Sequence, residues 1–329
     1  MRKGVRRERK MFNFPLGFAA FTKAVRRLKE FSMMKSVIQI LRPHQWVKNL
    51  FVFMPLFFGH QLMNLPLLIN TIAAFFAFSF VASSIYCFND IIDVEDDRRH
   101  VEKCKRPIAS GKISVTTGYI LMFLMLTLSI MISMMLPYEA KTTTLELPYI
   151  IIIYWLMEMA YCIKLKRIAI IDLCILSVGF LLRIAAGGAA SGIVLSHWLI
   201  MMTFLLTLFL GFAKRRDDVI KFQKTKIPPR HNTKRYNLTF VNDATTVTGS
   251  VMLVCYIMYT VSPETIANFD NHYIYLTTIF VLLGLLRYMQ IAVVDEKSGD
   301  PTKVLLRDYF TQVIVLCWVA SFLFIIYII

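Results

Sequence analysis

The chain has 329 residues, of which 57% are hydrophobic and 18% are charged, and its formal net charge is +16. So apolar a composition excludes a water-soluble domain and is typical of a protein with several membrane-spanning helices. Apolar runs of about 17 to 23 residues recur, the length that crosses about 30 Å of hydrocarbon as a helix. The sequence therefore predicts an all-α polytopic membrane protein with about nine spanning helices, over residues 46–65, 67–88, 114–136, 147–163, 168–190, 197–213, 247–261, 273–294 and 311–329.

Basic side chains predict the orientation of these helices. Lys and Arg concentrate in the loops after the second, fourth, sixth and eighth predicted helices, whereas the loop between the third and fourth holds only Lys141. Because basic loops stay on the cytoplasmic side, the N-terminus is predicted in the cytoplasm and the C-terminus outside. We expect a multi-pass protein of the inner (cytoplasmic) membrane with its functional face toward the cytoplasm. Since the charges follow membrane sidedness, no nucleic-acid partner is expected.

The first 40 residues differ in character from residues 41–329, which we expect to form one transmembrane domain. Residues 1–35 carry eleven Lys or Arg and two Glu. This basic, amphipathic segment is predicted to lie on anionic lipid headgroups. A start of translation at Met33 or Met34 is an equal alternative.

The most informative stretch is acidic and follows the second predicted helix. Asp90, Asp93 and Asp97 stand at positions i, i+3 and i+7, within about 60° of one helical face. Three carboxylates in one stripe repel one another, and Mg²⁺ is a suitable partner because it is typically shared between carboxylates and substrate phosphates. Asn89 precedes the stripe and the cations that follow it, Lys103 and Arg106, suit phosphate. The stretch predicts a Mg²⁺–diphosphate site, and a solvated loop with salt bridges is the alternative.

The motif "NDIIDVEDD" resembles the first acidic motif, N-D-x-x-D-x-x-x-D, of the UbiA superfamily of intramembrane prenyltransferases. Within that superfamily the chain is similar to the decaprenyl-phosphate phosphoribosyltransferases from about Arg42 to its C-terminus. The similarity rests on "LRPHQWVKNLFVFMPL", "NDIIDVEDDRRHVEKCKRPIASG", "DLCILSVGFLLRIAAGG", "LGFAKRRDD" and "SGDPTKVLLRD". The resemblance implies a UbiA-like helical bundle in which Asp90, Asp93 and Asp97 are the catalytic, metal-binding carboxylates.

A departure from the superfamily pattern indicates the substrate. Prenyltransferases of this superfamily usually carry a second D-x-x-x-D cluster after the sixth helix. This chain has "AKRRDDVIKFQK" there, in which Asp217 and Asp218 are adjacent and no carboxylate follows at the expected spacing. The basic residues of this stretch suit phosphate better than a second metal ion. The resemblance then implies transfer of 5-phosphoribose, with inversion, from phosphoribosyl diphosphate to a polyprenyl (decaprenyl-type) phosphate, as in cell-envelope biosynthesis. The alternative is a UbiA-type prenyltransferase with a polyprenyl diphosphate donor and an aromatic or other small acceptor. A transporter or channel is disfavoured, because most carboxylates gather at the inner membrane face.

Further substrate-binding candidates lie in four places. Near the first helix and after the fourth they are Lys48, Asn49, Tyr161, Lys164, Lys166 and Asp172. Interfacial anchoring and snorkelling lysines are the alternatives there, and Asp172 is a candidate for a ribose hydroxyl.

After the sixth predicted helix, Lys214, Arg215 and Arg235 are candidates for the 5-phosphate or the lipid phosphate. Arg183 lies near mid-membrane, where a charge is costly and usually functional, and a structural pair with Glu158 is the alternative. The neighbouring Gly187 and Gly188 predict close helix packing.

Overall fold

The structure is a computed structural model that describes residues 33–100, 102–136, 146–296, 299, 304 and 307–327. The basic segment predicted over residues 1–40 lies outside the described residues as far as residue 32, and residues 33–41 are helical. Among the residues described, none forms a strand. The prediction of an all-α protein is confirmed.

Eight long helices make up the bundle. They are α1 (Leu65–Ile92), α2 (Val115–Met134), α3 (Leu147–Ile163), α4 (Ile171–Ser191), α5 (His197–Thr225), α6 (Leu238–Thr260), α7 (Thr278–Val293) and α8 (Tyr309–Tyr327). Six segments of the described chain are long and apolar enough to cross a membrane, and α3 and α8 are shorter apolar helices. The protein is thus a multi-pass membrane protein. The count of nine spanning helices and the orientation of the termini stay predictions.

The first predicted span is not an α-helix over residues 46–65. It consists of an 11-residue 3₁₀-helix, Pro43–Phe53, and a 5-residue α-helix, Met54–Phe58. The proline nitrogens lack the hydrogen that a regular α-helix donates. With about 2.0 Å of rise per 3₁₀ residue and 1.5 Å per α residue, the two pieces together cover about 30 Å. They therefore run from one end of the bundle to the other with few residues.

Helix α5 continues beyond its predicted end. The span was expected to stop at residue 213, but the helix runs to Thr225, so residues 214–218 are helical and do not form a loop. Arg216 donates to the carbonyl oxygen of Ala292 at 2.6 Å and to Asn242 at 2.9 Å. These charged residues stay helical because partners on neighbouring helices hydrogen-bond them.

Close packing joins α4 to the 3₁₀-helix. A Cβ on Gly187 would overlap the backbone carbonyl of Val52, so only glycine permits this approach. The predicted packing role of Gly187 is confirmed. On the other side of the bundle, α1 packs on α2, α3 and α4, with Ala74, Ala77 and Phe78 fully buried.

The alternating helices bring the charged loops to one end of the bundle. Helices α1, α3, α5 and α7 end there, and α2, α4, α6 and α8 begin there. We call this the polar end. Near the opposite end, a Cβ on Gly59 would lie 3.1 Å from the side chain of Ile193. The polar end therefore brings the acidic motif and the basic loops after α1, α3 and α5 together.

Candidate active site

The acidic motif spans a break in the first long helix. Helix α1 ends at Ile92, Asp93 has φ −89° and ψ 8°, and a short helix follows over Val94–Arg99. The backbone N–H of Asp93 still bonds the carbonyl of Asn89 at 3.0 Å, and that of Asp97 bonds the carbonyl of Asp93 at 2.8 Å. Because the helical ladder continues across the break, the predicted spacing of the three aspartates is kept.

The three aspartates assigned to the metal, Asp90, Asp93 and Asp97, are each paired with a basic side chain of the protein. Asp90 is 1% exposed and accepts from Arg42 and, at 3.2 Å, from Arg106. Arg106 also donates to Asp97 at 2.7 Å, and Lys166 donates to Asp93 at 2.6 Å. The sequence predicts Mg²⁺ as the partner that offsets the repulsion among these carboxylates, and in the structure Arg42, Arg106 and Lys166 offset it as well. Arg106 bridges two carboxylates where a free phosphate ligand was predicted.

One carboxylate oxygen in this cluster lacks a partner. Oδ2 of Asp90 is buried without a hydrogen bond, which is costly for a charged group. Among the described residues no three His, Cys, Asp or Glu side chains are grouped closely enough to hold a metal ion. The unpaired oxygen and the all-carboxylate donor set nevertheless fit a hard cation such as Mg²⁺, provided that Arg106 and Lys166 give up their carboxylate bonds.

Lys103 lies on the 3₁₀ turn Lys103–Lys105 beside this cluster. Burial and the neighbouring Arg106 guanidinium hold the pKa of Lys103 below its ordinary value, and the charge of Arg230 acts in the same direction. Asp97 and Asp93 oppose the shift. A phosphate placed here would relieve the repulsion among these cations.

A second charged cluster connects α4, α5 and the loop before α6. Asp172 is fully buried and accepts from two nitrogens of Arg215, one of them at 3.0 Å, and from the hydroxyl of Tyr236 at 3.1 Å. Asp218 accepts from Arg215 at 3.1 Å and from Arg230 at 2.9 Å. Both oxygens of Asp172 are thus used within the protein. These contacts favour a role for Asp172 in orienting Arg215 over the predicted contact with ribose.

Tyr236 ties this cluster to the start of α4. Its hydroxyl accepts from the backbone N–H of Ile170 at 2.6 Å, and Ile170 has φ +69°, an unusual value for a β-branched residue. Burial raises the pKa of Tyr236 to about 12, so the hydroxyl remains a donor to Asp172 at neutral pH. The strained turn before α4 is therefore held by the same tyrosine that bonds Asp172.

Arg183 lies in a separate polar cluster within the membrane-spanning part. Its guanidinium donates to Asn49 at 2.8 Å, to the carbonyl of Gly179 at 2.7 Å and to Tyr154 at 3.1 Å. Aromatic rings surround it at 5.0 to 5.1 Å, among them that of Phe180. The contacts favour the structural alternative for Arg183.

The pair predicted for Arg183 takes an indirect form. A Cβ on Gly179 would lie 3.1 Å from Oε1 of Glu158 and 3.5 Å from the Arg183 guanidinium, so both charges lie around this glycine. Asn49 is 1% exposed and also donates to Ser79 at 2.9 Å. Asn49 therefore belongs with Arg183, away from the paired acids of the polar end.

The remaining predicted site residues differ in exposure. Lys164 and Arg235 are exposed, whereas the others are partly buried, namely Lys48, Asn89, Tyr161, Lys166 and Lys214. Direct bonds join Arg106 to Asp90 and Asp97, and Lys166 to Asp93.

The sequence of the bundle matches a known family. The model of the "UbiA prenyltransferase family" matches residues 50–314. The chain belongs to this family. It is 31% identical over 300 residues to a decaprenyl-phosphate phosphoribosyltransferase of Mycolicibacterium smegmatis, covering 88% of this chain and 92% of that protein. A protein of the same name from Corynebacterium glutamicum is 32% identical over 295 residues, covering 89% of this chain and 87% of that one.

Solved structures of UbiA proteins share the fold. A UbiA homolog from Archaeoglobus fulgidus bound to GPP and Mg²⁺ superposes with a TM-score of 0.65 at 14% identity, over 88% of this chain and 99% of that one. A digeranylgeranylglyceryl phosphate synthase superposes with a TM-score of 0.63 at 18% identity, over 89% of this chain and 98% of that one. The UbiA-like bundle predicted from the sequence is confirmed.

Four polar residues of this UbiA protein's polar end are absent from the sequence-based prediction: Arg42, Arg230, Asn232 and Tyr236. Arg42 opens the "RPHQW" block, and Arg230 follows two prolines in "KIPPRHN". Only the position of Arg42 carried a usable signal, because a residue before a proline is disfavoured in an α-helix and marks a helix boundary. In the structure Arg42 has φ +51° and separates the helical residues 33–41 from the 3₁₀-helix that begins at Pro43.

Proposed function

We propose that the chain transfers a 5-phosphoribosyl group from 5-phosphoribosyl 1-diphosphate to a polyprenyl phosphate of the decaprenyl type and releases diphosphate. The observation that carries this proposal is the second cluster, where Arg215 and Arg230 converge on Asp218. Arg215 holds Asp218 in place, and the Arg230 guanidinium, 38% exposed, suits one phosphate of a donor whose other phosphates meet the cations beside the acidic motif. Relatives about 30% identical over most of their length, named decaprenyl-phosphate phosphoribosyltransferases, support the same reaction.

The charges of the polar end fit three phosphate groups. The donor brings a diphosphate and a 5-phosphate, and the acceptor brings one more phosphate. Lys103, Arg106 and Lys166 lie beside the acidic motif, and Arg230 lies within electrostatic range of Lys103. We assign the diphosphate to the acidic motif and the 5-phosphate to the side of Arg230, with Lys214 and Arg235 as further candidates.

A divalent cation belongs to this proposal. Asp90, Asp93 and Asp97 would hold Mg²⁺, with Asn89 in support and the unpaired Oδ2 of Asp90 as one oxygen donor. Bound there, the metal would neutralise charge on the leaving diphosphate. Arg106 and Lys166, which now bond these carboxylates, can then turn to phosphate oxygens.

The chemistry needs no general base from the protein. The bond between the anomeric carbon and the diphosphate oxygen breaks, and its electron pair leaves with the diphosphate. A new bond forms from an acceptor phosphate oxygen, which is already anionic near pH 7. The carboxylates of the acidic motif favour the positive charge that develops on the anomeric carbon. Positioning and charge therefore suffice, and the family resemblance implies inversion.

A place for the lipid lies behind the polar end. An apolar cavity of about 330 Å³ lies between the 3₁₀-helix and helices α5, α6, α7 and α8. Phe51, Met54, Leu206, Met252 and Trp318 are among its lining residues. So apolar a space suits isoprene units, which offer van der Waals contacts and no polar groups. We place the first part of the polyprenyl chain there.

The proposed orientation puts the polar end in the cytoplasm. The basic loops after α1, α3 and α5 all emerge at this end, as cytoplasmic loops do. A highly charged, water-soluble donor would then reach the site from the cytoplasm without crossing the bilayer. The proposed location is the inner (cytoplasmic) membrane, with the N-terminus inside and the C-terminus outside.

A donor comparison tests the proposed function. Purified protein in lipid nanodiscs would receive Mg²⁺ and either phosphoribosyl diphosphate with decaprenyl phosphate, or geranylgeranyl diphosphate with an aromatic acid. We expect a new lipid only from the first pair, and none from the Asp93→Asn variant. Asp270→Asn is the matched control, because Asp270 is exposed at the end of the short helix Pro263–Phe269 that follows α6, away from the polar end. Product from the second pair alone would favour the prenyltransferase alternative and contradict the proposal.

A further inference from the structure

A buried asparagine beside the second cluster has no partner for either end of its amide. Asn232 is 1% exposed, and neither Nδ2 nor Oδ1 makes a hydrogen bond. Leaving one such group unsatisfied in the interior is costly, and here two are unsatisfied in one side chain. A site that binds nothing would gain stability from an apolar side chain at this position.

The backbone around Asn232 is held from both sides. Asn232 lies on the 3₁₀ segment His231–Arg235. Before it, Arg230 bonds Asp218 at 2.9 Å, and the Arg230 N–H donates to Thr233 at 3.2 Å. After it, Tyr236 bonds Asp172 at 3.1 Å. These bonds fix the position of the Asn232 backbone between the two ends of the second cluster.

The surroundings of Asn232 connect the two charged clusters. The segment His231–Arg235 packs against Leu165–Arg167, whose Lys166 bonds Asp93 of the acidic motif. The charge of Arg230, two residues earlier, acts on Lys103 and Tyr161. A ligand that reaches from the acidic motif to Arg230 passes this segment.

We infer that Asn232 recognises the vicinal 2- and 3-hydroxyls of the donor's ribose, an inference that rests on the proposed function. An amide offers one acceptor and two N–H donors. A phosphate dianion can only accept, so it would leave Oδ1 unsatisfied. Two adjacent hydroxyls can donate to Oδ1 and accept from Nδ2 at the same time. Asn232 thus selects ribose over sugars that lack one of these hydroxyls.

Two stable sugar phosphates test this inference. Ribose 5-phosphate and 2-deoxyribose 5-phosphate would compete with labelled phosphoribosyl diphosphate for binding, and the ratio of their inhibition constants would be measured. We expect the wild type to prefer ribose 5-phosphate by about tenfold, the scale of one buried hydrogen bond. In Asn232→Leu the ratio should fall to near one. His231→Ala, at an exposed neighbouring position, should leave it unchanged.

A stability measurement separates recognition from a structural role. Asn232→Leu removes an unsatisfied amide at similar volume, so its Tm should equal or exceed that of the wild type. If this variant fails to fold, Asn232→Ala supplies the ratio. A ratio that stays at the wild-type value in the folded variant, or a wild type that does not distinguish the two sugars, overturns the inference. A wild type that makes no phosphoribosyl lipid would instead overturn the proposed function.

Discussion

Nζ of Lys166, in the loop that follows α3, lies 2.6 Å from Oδ1 of Asp93, in the acidic motif at the end of α1. Both side chains are partly exposed, at 21% and 24%. The Lys166 ammonium group is thus bonded to one of the three carboxylates that we assign to the metal. A donor that arrives with Mg²⁺ must exchange this bond for a metal–carboxylate bond and a lysine–phosphate bond.

This relationship predicts opposite effects of Lys166→Met on metal and donor. Without the lysine, Asp93 is free, and Mn²⁺ used as a spectroscopic probe should bind about two- to fivefold more tightly, the scale of a partly exposed ion pair. The KM for phosphoribosyl diphosphate should rise by about tenfold, because a charged hydrogen bond to phosphate is lost. Electron paramagnetic resonance titration and steady-state kinetics measure the two effects.

Lys224→Met is the control for this prediction. Lys224 also pairs with a carboxylate, Glu296, at 2.9 Å, but both side chains are well exposed. We expect neither metal nor donor affinity to change in this variant. Weaker Mn²⁺ binding in Lys166→Met would contradict the competition described above.

Asp90 and Asp93 should differ in what their loss costs. Asp90→Asn leaves Arg42 and Arg106 without their shared buried charge partner and should lower the unfolding free energy by about 3 kcal/mol. Asp93→Asn breaks only the partly exposed ion pair with Lys166 and should change the unfolding free energy by less than about 1 kcal/mol. Both variants should lose at least about 100-fold in transfer rate. Thermal unfolding measures the stability of each variant, and the transfer assay measures its rate. Equal losses of stability in the two variants would contradict the different burial of Asp90 and Asp93.

Gly187→Ala should disrupt the bundle. The added methyl group overlaps the carbonyl of Val52, so α4 and the 3₁₀-helix must separate. We expect a loss of more than about 2 kcal/mol and poor yield in detergent. Gly284→Ala is the matched control, because the nearest atom to its Cβ is a side-chain carbon of Ile314 at 3.7 Å. Fluorescence-detected size exclusion with heating reports both, and an unaffected Gly187→Ala would show that the close approach is wrong.

Asp308 should make stability depend on acid pH. It bonds Arg287 at 2.6 Å and caps α8 by accepting from the N–H of Thr311 at 2.8 Å. These bonds, the one to Arg287 first, hold the pKa of Asp308 well below its ordinary value. Its stabilisation is therefore present above the unfolded-state pKa, about 3.9, and is lost as the pH falls through the lowered value.

Asp308→Asn measures that contribution. Asn still caps the helix, so at pH 7 the cost should be that of the partly exposed ion pair with Arg287, up to about 1 kcal/mol, and the gap to the wild type should close in acid. Thermal unfolding from pH 7 down to about pH 2, below the unfolded-state pKa, follows both proteins. A gap that stays constant over this range would show that the charge of Asp308 adds nothing.

The acidic motif was predictable because its information is local. The spacing of Asp90, Asp93 and Asp97 survives the helix break since the backbone bonds continue through Asp93. The partners of these acids were not predictable, because Lys166 is 73 residues from Asp93 in the chain. Likewise, the roles of Asp172 and Asn49 depend on partners 43 and 134 residues away. Long-range pairing of charges is decided by packing, which spacing alone does not encode.

Helix boundaries show the same limit. Hydropathy located the eight long helices, but it ended one of them at residue 213, where apolar character stops. The helix continues to Thr225 because Arg215 and Arg216 find partners inside the protein. The first span differs for another reason, since Pro55, which lacks an N–H, interrupts a segment that hydropathy alone describes as one helix.

The most direct test of the proposed function follows the two ends of the donor separately. Phosphoribosyl diphosphate labelled with ³²P at the 5-phosphate, and a second batch labelled in the β-phosphate, would be incubated with decaprenyl phosphate and Mg²⁺. The account predicts that 5-phosphate label enters the lipid and β-phosphate label leaves as free diphosphate. Label from the β-phosphate in the lipid, or no label from the 5-phosphate, would contradict it.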